Sequence, residues 1–259
     1  MKKILVLLAF MAFALGVSWS VPVPAQTRIT LLAPDPLRQE VSEIVSKFEM
    51  KTGNTVQKSW GTGVGSRRTV QEGGALDVTL LFAPFDEALK TGNVDKSTQT
   101  VVARVRLAIA VKAGMPKPDI SSAAAVKKLL LNAKSLATVD PTQGSVGGAC
   151  FLALDKMGIT DQVKPKLKLF PGGGGVMKAV ADGEVQVGIG PYLSDYRNPP
   201  EGLQVVGSMP TDAATPVDIT GWIATNAPDK KAAMELLNFF KSSEANTVWE
   251  GAKVFPVTK

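Results

Sequence analysis

The repeated succession of a short apolar strand, a turn of small residues and a helix constrains the fold of this chain more than any other feature. Apolar runs of roughly four to eight residues, bounded by Gly, Pro or Asp, are typical of buried strands, whereas apolar residues three and four positions apart indicate helices. Both patterns alternate from residue 28 to residue 189. Because strands joined through helices run parallel in one sheet, the sequence predicts an α/β fold with mainly parallel sheets flanked by helices.

The individual segments follow from this pattern. The predicted strands are 28–33, 55–60, 77–83, 105–111, 135–140, 166–170, 185–189 and 221–225. The predicted helices are 37–52, a short helix ending near Glu72, one beginning at Pro84, and the segments 121–133, 150–158, 176–183, 230–242 and 243–252. In sheets of this kind ligands bind beyond the carboxyl ends of the strands, next to the N-termini of the helices that follow them.

The first 25 residues have the layout of a secretory signal peptide. Lys2 and Lys3 precede an apolar run from Ile4 to about Val17, and Val23-Pro24-Ala25 forms a cleavage site. The apolar run is shorter than the roughly 20 residues that a membrane-spanning helix needs. We therefore expect residues 1–25 to be removed near Ala25 and the mature protein to be exported to the periplasm.

The amino-acid composition excludes several kinds of chemistry. The chain contains no His, and Cys150 is its only cysteine, so a His-dependent hydrolase triad and a disulfide framework are both absent. The sequence predicts no metal site and no cofactor. The 29 Lys and Arg residues exceed the 23 Asp and Glu residues without forming a basic block, which suits a small anionic ligand and does not indicate nucleic-acid binding.

Three of the turns that lead from a strand into a helix consist largely of small residues. They are Gly61–Ser66, Pro141–Gly148 and Pro171–Val176. A helix N-terminus has unpaired N–H groups and roughly half a positive charge, and small residues let an anion approach those groups. None of the turns has the lysine of a phosphate-binding loop or the full glycine pattern of a dinucleotide site. Each alone is more often an ordinary loop, but together they predict an oxyanion pocket without Lys or Arg.

The run of four glycines, Gly172–Gly175, is predicted to give a ligand close access to the backbone. We expect the following helix to begin at Val176, so that Gly175 lies next to its first N–H groups. A side chain at Gly175 would then intrude on the ligand or on a backbone with a positive φ, whereas a methyl group at Gly172 should have little effect.

Four longer segments resemble the molybdate-type periplasmic substrate-binding proteins of ABC transporters, which have the two-lobed type II fold. The segments are LLAPDPLRQEV, VQKSWGTGVGSRRTVQEGGALDVTLLFA, VDPTQGSVGGACFLALDKMGI and GGVMKAVADGEVQVGIGPYLSD. The resemblance implies that one lobe is formed by residues 26–103 and 214–259 and the other by residues 104–213. It also implies a monomer that captures a small anion, either an oxyanion or a small carboxylate, and delivers it to a membrane permease.

The same resemblance implies which residues form the ligand shell. They would be Thr62, Gly63, Val64, Gly144, Ser145, Val146, Gly175, Val176 and Tyr192.

Two departures from the family pattern point away from molybdate. The family usually has a Ser after the first strand, where this chain has Asp35-Pro36, and the segment Gly190-Pro191-Tyr192 is one residue longer than the pattern. The chain also resembles a divergent branch that includes aconitate isomerases. This resemblance leaves open an alternative function, a periplasmic isomerase of an unsaturated tricarboxylate in which Asp35 and Tyr192 would be the catalytic residues.

Overall fold

A computed structural model describes residues 27–74, 76–143, 145–190 and 200–257. The predicted signal peptide and two residues of the predicted ligand shell, Gly144 and Tyr192, lie outside the described residues. Among the helices of the described ranges, none has the length and hydropathy needed to cross a membrane.

The helices and strands have the following bounds. The strands are β1 (Arg28–Pro34), β2 (Thr55–Gly61), β3 (Val78–Phe82), β4 (Val94–Val105), β5 (Ala108–Lys112), β6 (Leu136–Val139), β7 (Leu167–Phe170), β8 (Val187–Gly190), β9 (Leu203–Ser208), β10 (Val217–Ala224) and β11 (Phe255–Pro256). The α-helices are α1 (Arg38–Thr52), α2 (Gly63–Gln71), α3 (Asp86–Lys90), α4 (Ala123–Asn132), α5 (Ser145–Lys156), α6 (Thr160–Val163), α7 (Gly173–Ala181), α8 (Lys230–Phe239) and α9 (Ser243–Gly251).

The strands form two sheets, and each sheet is mixed rather than mainly parallel. The first has the order β11-β4-β10-β3-β1-β2 and the second the order β7-β6-β8-β5-β9. β1 pairs in parallel with β2 and β3, and β6 pairs in parallel with β7 and β8. β10 is antiparallel to both of its neighbours, as is β5. Both strands receive the chain directly from the other sheet, so no crossover helix imposes a parallel direction on them.

The sequence patterns missed parts of both sheets. The predicted strand 105–111 is the junction of β4 and β5, which belong to different sheets. Most of β4 was missed because its segment 95–100 is polar and partly exposed, so it lacks the apolar run on which the prediction depended. β9, β11 and the first half of β10 were also missed.

Each sheet has its own hydrophobic core. Phe48, Leu80 and Trp249 are buried in the core of the first sheet, and Leu107 and Ile189 are buried in that of the second. Burying one large apolar side chain contributes about 1.5–3 kcal/mol, so each sheet has a substantial source of stability of its own. Two separate cores joined by two short crossings are the expected arrangement for lobes that move relative to each other.

Cys150 is expected to resist thiol reagents as long as the protein is folded. It lies in α5 with its Sγ 3.9 Å from the carbonyl oxygen of Ile189, and burial raises the pKa of its thiol to about 12. The thiolate is the reactive form. At about pH 8 the native protein should therefore remain unlabelled by a chromogenic disulfide reagent, and one equivalent should react after addition of denaturant. Rapid labelling of the native protein would contradict this expectation.

Candidate functional site

The N-termini of α2 and α5 meet in the space between the two sheets. Gly63 is the first residue of α2 and Ser145 is the first residue of α5. A Cβ atom built on Gly63 would lie 3.1 Å from the Cβ of Ser145 and 3.4 Å from its backbone N, and closer still to its Oγ. Real Cβ contacts are rarely this short, so the close approach of the two helices depends on the missing side chain at Gly63.

The first turn of α2 has two backbone N–H groups available for a ligand. The hydroxyl of Thr62 caps the helix by accepting a hydrogen bond from Gly65 N–H at 2.8 Å, and the carbonyl of Thr62 accepts one from Ser66 N–H at 2.7 Å. The N–H groups of Gly63 and Val64 have no acceptor among the described residues. Thr62 is thus a capping residue whose own O–H group can still donate to a ligand.

The first turn of α5 has the same arrangement. The N–H groups of Ser145 and Val146 have no acceptor within the described part of the chain, and Ser145 is only 6% exposed. The turn before them is closed by Asp140, whose carboxylate accepts hydrogen bonds from the N–H and hydroxyl groups of Thr142. These bonds lower the pKa of Asp140 and are the side-chain to backbone contacts of a turn residue.

The third glycine turn differs from its prediction. α7 begins at Gly173 instead of Val176, with Gly172 as its N-cap. The N–H groups of Gly175 and Val176 point to the carbonyl oxygen of Gly172, at 3.2 and 3.5 Å. The N–H groups that have no acceptor among the described residues are those of Gly173 and Gly174. The sequence analysis predicted a turn at these glycines because Gly is a poor helix former. Val176 and the residues after it pack on the sheet, and this packing stabilises a helix that also includes Gly173, Gly174 and Gly175.

The reason given for the sensitivity of Gly175 is also partly wrong. None of the four residues Gly172–Gly175 has a positive φ. A Cβ atom on Gly175 would lie 3.0 Å from Cδ1 of Phe170, whereas one on Gly172, Gly173 or Gly174 would have open space around it. A larger residue at Gly175 therefore collides with Phe170 first. That a bulky residue there abolishes ligand binding stays a prediction.

Strand register places these helix N-termini at matching edges of the two sheets. The last residues of β6 and β7, Val139 and Phe170, are paired, and α5 and α7 follow them. In the first sheet the last residues of β1 and β2, Pro34 and Gly61, are paired, and α2 follows β2. The turns after β2, β6 and β7 therefore lie beyond carboxyl ends of parallel strands, where ligands of α/β proteins bind.

Arg67 is a residue of the site that sequence reasoning missed. It lies one turn after Gly63 on α2, and its Nη1 donates hydrogen bonds to the Oγ of Ser145 and, at 3.4 Å, to the carbonyl oxygen of Phe82. The side chain is half-buried, and desolvation lowers the pKa of its guanidinium. No motif marks Arg67, because its neighbour Arg68 has the same chemistry and is exposed. The rotation of α2 decides which of the two faces the second sheet.

Asp35, the acid of the alternative enzymatic function, lies in a short 3-10 turn directly after β1. It is exposed, and its Oδ1 accepts hydrogen bonds from the Nε and Nη2 of Arg38 at 2.8 and 2.5 Å. The guanidinium of Arg38 also stacks over the ring of Trp60, 4.8 Å from its centroid. Asp35 is therefore one member of an ion pair at the end of β1. Tyr192, the second catalytic residue of the alternative function, lies outside the described ranges, so the structure does not test whether it lies near Asp35.

The part of the chain that the structure describes contains no group of three or more His, Cys, Asp or Glu side chains that could hold a metal ion. Its candidate ligand donors are backbone N–H groups, hydroxyl groups and Arg67. Donors of this kind bind anions.

Comparison with known proteins agrees with this description. The family model of bacterial extracellular solute-binding proteins matches residues 29–252. An aconitate isomerase from Pseudomonas sp is 26% identical over 237 residues, covering 89% of this chain and 88% of that protein. The molybdate-binding protein ModA from Escherichia coli strain K12 is 27% identical over 197 residues, covering 74% of this chain and 75% of that protein.

The fold is shared with solved structures of binding proteins. The sulfate-binding protein SubI from Mycobacterium tuberculosis H37Rv superposes with a TM-score of 0.74 at 21% sequence identity, covering 90% of this chain and 88% of that chain. This similarity confirms the predicted two-lobed α/β fold, and the sequence relatives confirm the resemblance that the four segments indicated.

Proposed function

Because this chain belongs to the family of bacterial extracellular solute-binding proteins, we propose that it captures a small anion between its two lobes and delivers it to the permease of an ABC transporter. The observation that carries this proposal is the contact between the N-termini of α2 and α5. Gly63 and Ser145 touch each other across the two sheets, and the N–H groups beside them have no acceptor among the described residues. Two helix N-termini facing one point form a site for negative charge.

Binding between the lobes would be coupled to closure. We assign residues 26–103 and 214–259 to one lobe and residues 104–213 to the other, with the second crossing near 213–214. Because Arg104 and Val105 still pair with β10 in the first sheet, we move the first crossing from the predicted 103–104 to 106–107. A ligand that accepts hydrogen bonds from both lobes stabilises only the closed form, because in the open form one set of donors is out of reach. The permease would then recognise the closed protein. We further propose that the mature protein is a periplasmic monomer, released by cleavage near Ala25.

Within the class of small anions, we favour a carboxylate over molybdate. The turn after β1 presents the carboxylate of Asp35 and a proline, which has no N–H group, where a hydroxyl donor would suit a tetrahedral oxyanion. Arg38 neutralises Asp35 there, because its Nε and Nη2 both donate to the Asp35 carboxylate. This edge therefore repels an anionic ligand less than an unpaired Asp would.

A second candidate function is the isomerisation of an unsaturated tricarboxylate. The similarity to an aconitate isomerase over 89% of the chain favours it. Asp35 would remove or return a proton in this reaction and Tyr192 would assist it. Incubation with trans-aconitate, followed by proton NMR, tests this candidate. Formation of cis-aconitate that is lost in Asp35→Asn would establish it, and unchanged trans-aconitate at high protein concentration would exclude it.

The ligand class is tested by thermal-shift measurements on the purified mature protein. Molybdate, tungstate, sulfate, phosphate and small di- and tricarboxylates are added at the same concentrations. A ligand present at about 100 times its Kd stabilises the folded state by about 2.7 kcal/mol, which raises the Tm of a chain of this size by about 5–10 °C. We expect the largest shift with a carboxylate. A larger shift with molybdate would contradict the preference for carboxylates, and no shift with any anion would contradict anion binding itself.

A further inference from the structure

Arg67 places a full positive charge where two helix N-termini already meet. Its Nη1 donates to the Oγ of Ser145, the first residue of α5, while Arg67 itself belongs to the second turn of α2. Each helix N-terminus contributes roughly half a positive charge. The contact region of α2 and α5 therefore has a total charge of about +2, concentrated between the two sheets.

The described residues do not neutralise this charge. None of the ion pairs formed among them includes Arg67. The two acceptors of Arg67, the hydroxyl of Ser145 and the carbonyl of Phe82, are both uncharged. A half-buried guanidinium without a carboxylate partner opposes the approach of two positive helix ends, because like charges repel more strongly when water is excluded. The closed arrangement is complete only when an anion of matching charge is present.

A buried hydroxyl without a hydrogen-bond partner among the described residues lies in the same part of α2. The hydroxyl of Ser66, the residue before Arg67, is fully buried and has no hydrogen-bond partner among the described residues. It lies beside Gly61, where a built Cβ atom would be 2.7 Å from the Ser66 Oγ. Buried polar groups are nearly always paired in folded proteins. This turn of α2 therefore combines a buried hydroxyl that has no hydrogen-bond partner among the described residues with a guanidinium that has no ion-pair partner among them.

The geometry of the guanidinium narrows the choice of anion. Arg has five N–H donors in a planar fork that binds the two oxygens of a carboxylate in parallel. Among the described residues only the Nη1 of Arg67 has acceptors, so the Nε and Nη2 edge is available. A monocarboxylate would neutralise only about half of the charge estimated above, whereas a dicarboxylate or tricarboxylate would neutralise it fully.

We propose that Arg67 is the specificity-determining residue of this site and selects ligands with two or more carboxylates. The N–H groups of Gly63, Val64, Ser145 and Val146 bind one carboxylate of the ligand, and the fork of Arg67 binds a second. In the closed arrangement the hydroxyl of Ser145 accepts from the Nη1 of Arg67 and holds the guanidinium in position, while its Nε and Nη2 edge binds the ligand. This assignment rests on the proposed function, since it names the ligand class of the same site.

The test is isothermal titration calorimetry with acetate, succinate, tricarballylate and sulfate on the wild-type protein and three variants. Arg67→Gln removes the charge and the fork, and Arg67→Lys keeps the charge without the fork. Arg68→Gln is the matched control, because it removes the same charge from the exposed neighbouring position of α2. Melting curves followed by circular dichroism verify that each variant is folded.

We expect Arg67→Gln to weaken binding of succinate and tricarballylate by about 10- to 150-fold, the range for loss of a charged hydrogen-bonded contact. Arg67→Lys should recover only part of this loss, because an ammonium group cannot bind a carboxylate through two parallel bonds. Arg68→Gln should stay within about twofold of the wild type, because exposed charges contribute little. Acetate should bind weakly to all four proteins.

Each other outcome has a distinct meaning. If the wild-type protein binds none of the four anions, the proposed function fails and this assignment fails with it. If the wild type binds succinate or tricarballylate and Arg67→Gln binds it equally well, the assignment is overturned while the proposed function stands. If Arg67→Gln weakens sulfate binding as much as tricarballylate binding, Arg67 is a general anion contact and does not select polycarboxylates.

Discussion

Replacing Gly147 with Ala is expected to lower the free energy of unfolding by about 3 kcal/mol, the upper part of the usual range for overpacking. Gly147 lies in the first turn of α5, pressed against the end of β6. A Cβ atom there would lie 2.6 Å from Pro141 N and 2.8 Å from the carbonyl carbon of Asp140, and it would also overlap the carbonyl oxygen of Val139. All three atoms are backbone atoms, which cannot move aside as the end of a side chain can.

The neighbouring residue Gly148 provides the matched control. A Cβ atom on Gly148 would have no atom within 4 Å. Because Ala is a better helix former than Gly by about 1 kcal/mol, Gly148→Ala should leave the stability unchanged or raise it slightly. Urea denaturation of both variants measures the difference. For a chain of this size, the Tm of Gly147→Ala should fall by about 6–12 °C. Equal effects at the two positions would show that α5 does not depend on its close approach to β6.

Replacing Gly63 with Ala is expected to weaken anion binding by about 100-fold, equivalent to about 2.7 kcal/mol, without loss of stability in the ligand-free protein. The added methyl group would collide with Ser145 when the two lobes close. In the open form it meets no such obstacle, and it favours the helix that begins there. The substitution therefore raises the free energy of the closed, ligand-bound form and leaves that of the open form unchanged. Calorimetric titration with the ligand that gives the largest thermal shift measures the loss of affinity.

A second substitution tests whether the collision with Ser145 is the cause. Ser145→Gly removes the Oγ and Cβ atoms that the new methyl group would meet. It also removes one of the two acceptors of Arg67, so by itself it should weaken binding by about 10-fold. The double variant Gly63→Ala/Ser145→Gly should then bind about as well as Ser145→Gly alone, because the two changes affect one contact. If the two losses simply add, Gly63 acts through something other than its contact with Ser145.

Much of the local structure could be predicted because it depends on neighbours along the chain. The apolar spacing in 37–48 and the Gly at position 53 predict α1, and the structure ends this helix at Thr52 with Gly53 in the left-handed conformation that favours glycine. Strands β1, β3 and β6 lie in short apolar runs and are buried over most of their length. The glycine-rich turns after β2 and β6 were predicted to lead into helices, and α2 begins at Gly63 within the first of them. α5 begins at Ser145, five residues before the predicted start at 150, so its first turn is formed by residues that were predicted to lie in the loop.

Other local features were missed because packing overrides the pattern of the sequence. The glycines at 173–175 disfavour a helix by themselves, yet α7 includes them because its later residues pack on the second sheet. The antiparallel direction of β5 and β10 was also not predicted, because it depends on which sheet the chain has just left. A single strand pattern carries no information about the direction of its neighbours.

The sequence by itself determined the class of fold, most of the elements and their order, the family resemblance and the turns whose helix N-termini could bind an anion. Only the tertiary structure decided that α2 and α5 touch, that Gly63 packs on Ser145, and that Arg67 rather than Arg68 faces the second sheet. Arg67 and Ser145 are 78 positions apart in the chain. Periodicity reports on residues within one helix or strand, whereas contacts across this distance depend on how two separately packed sheets are placed, and no local pattern records that placement.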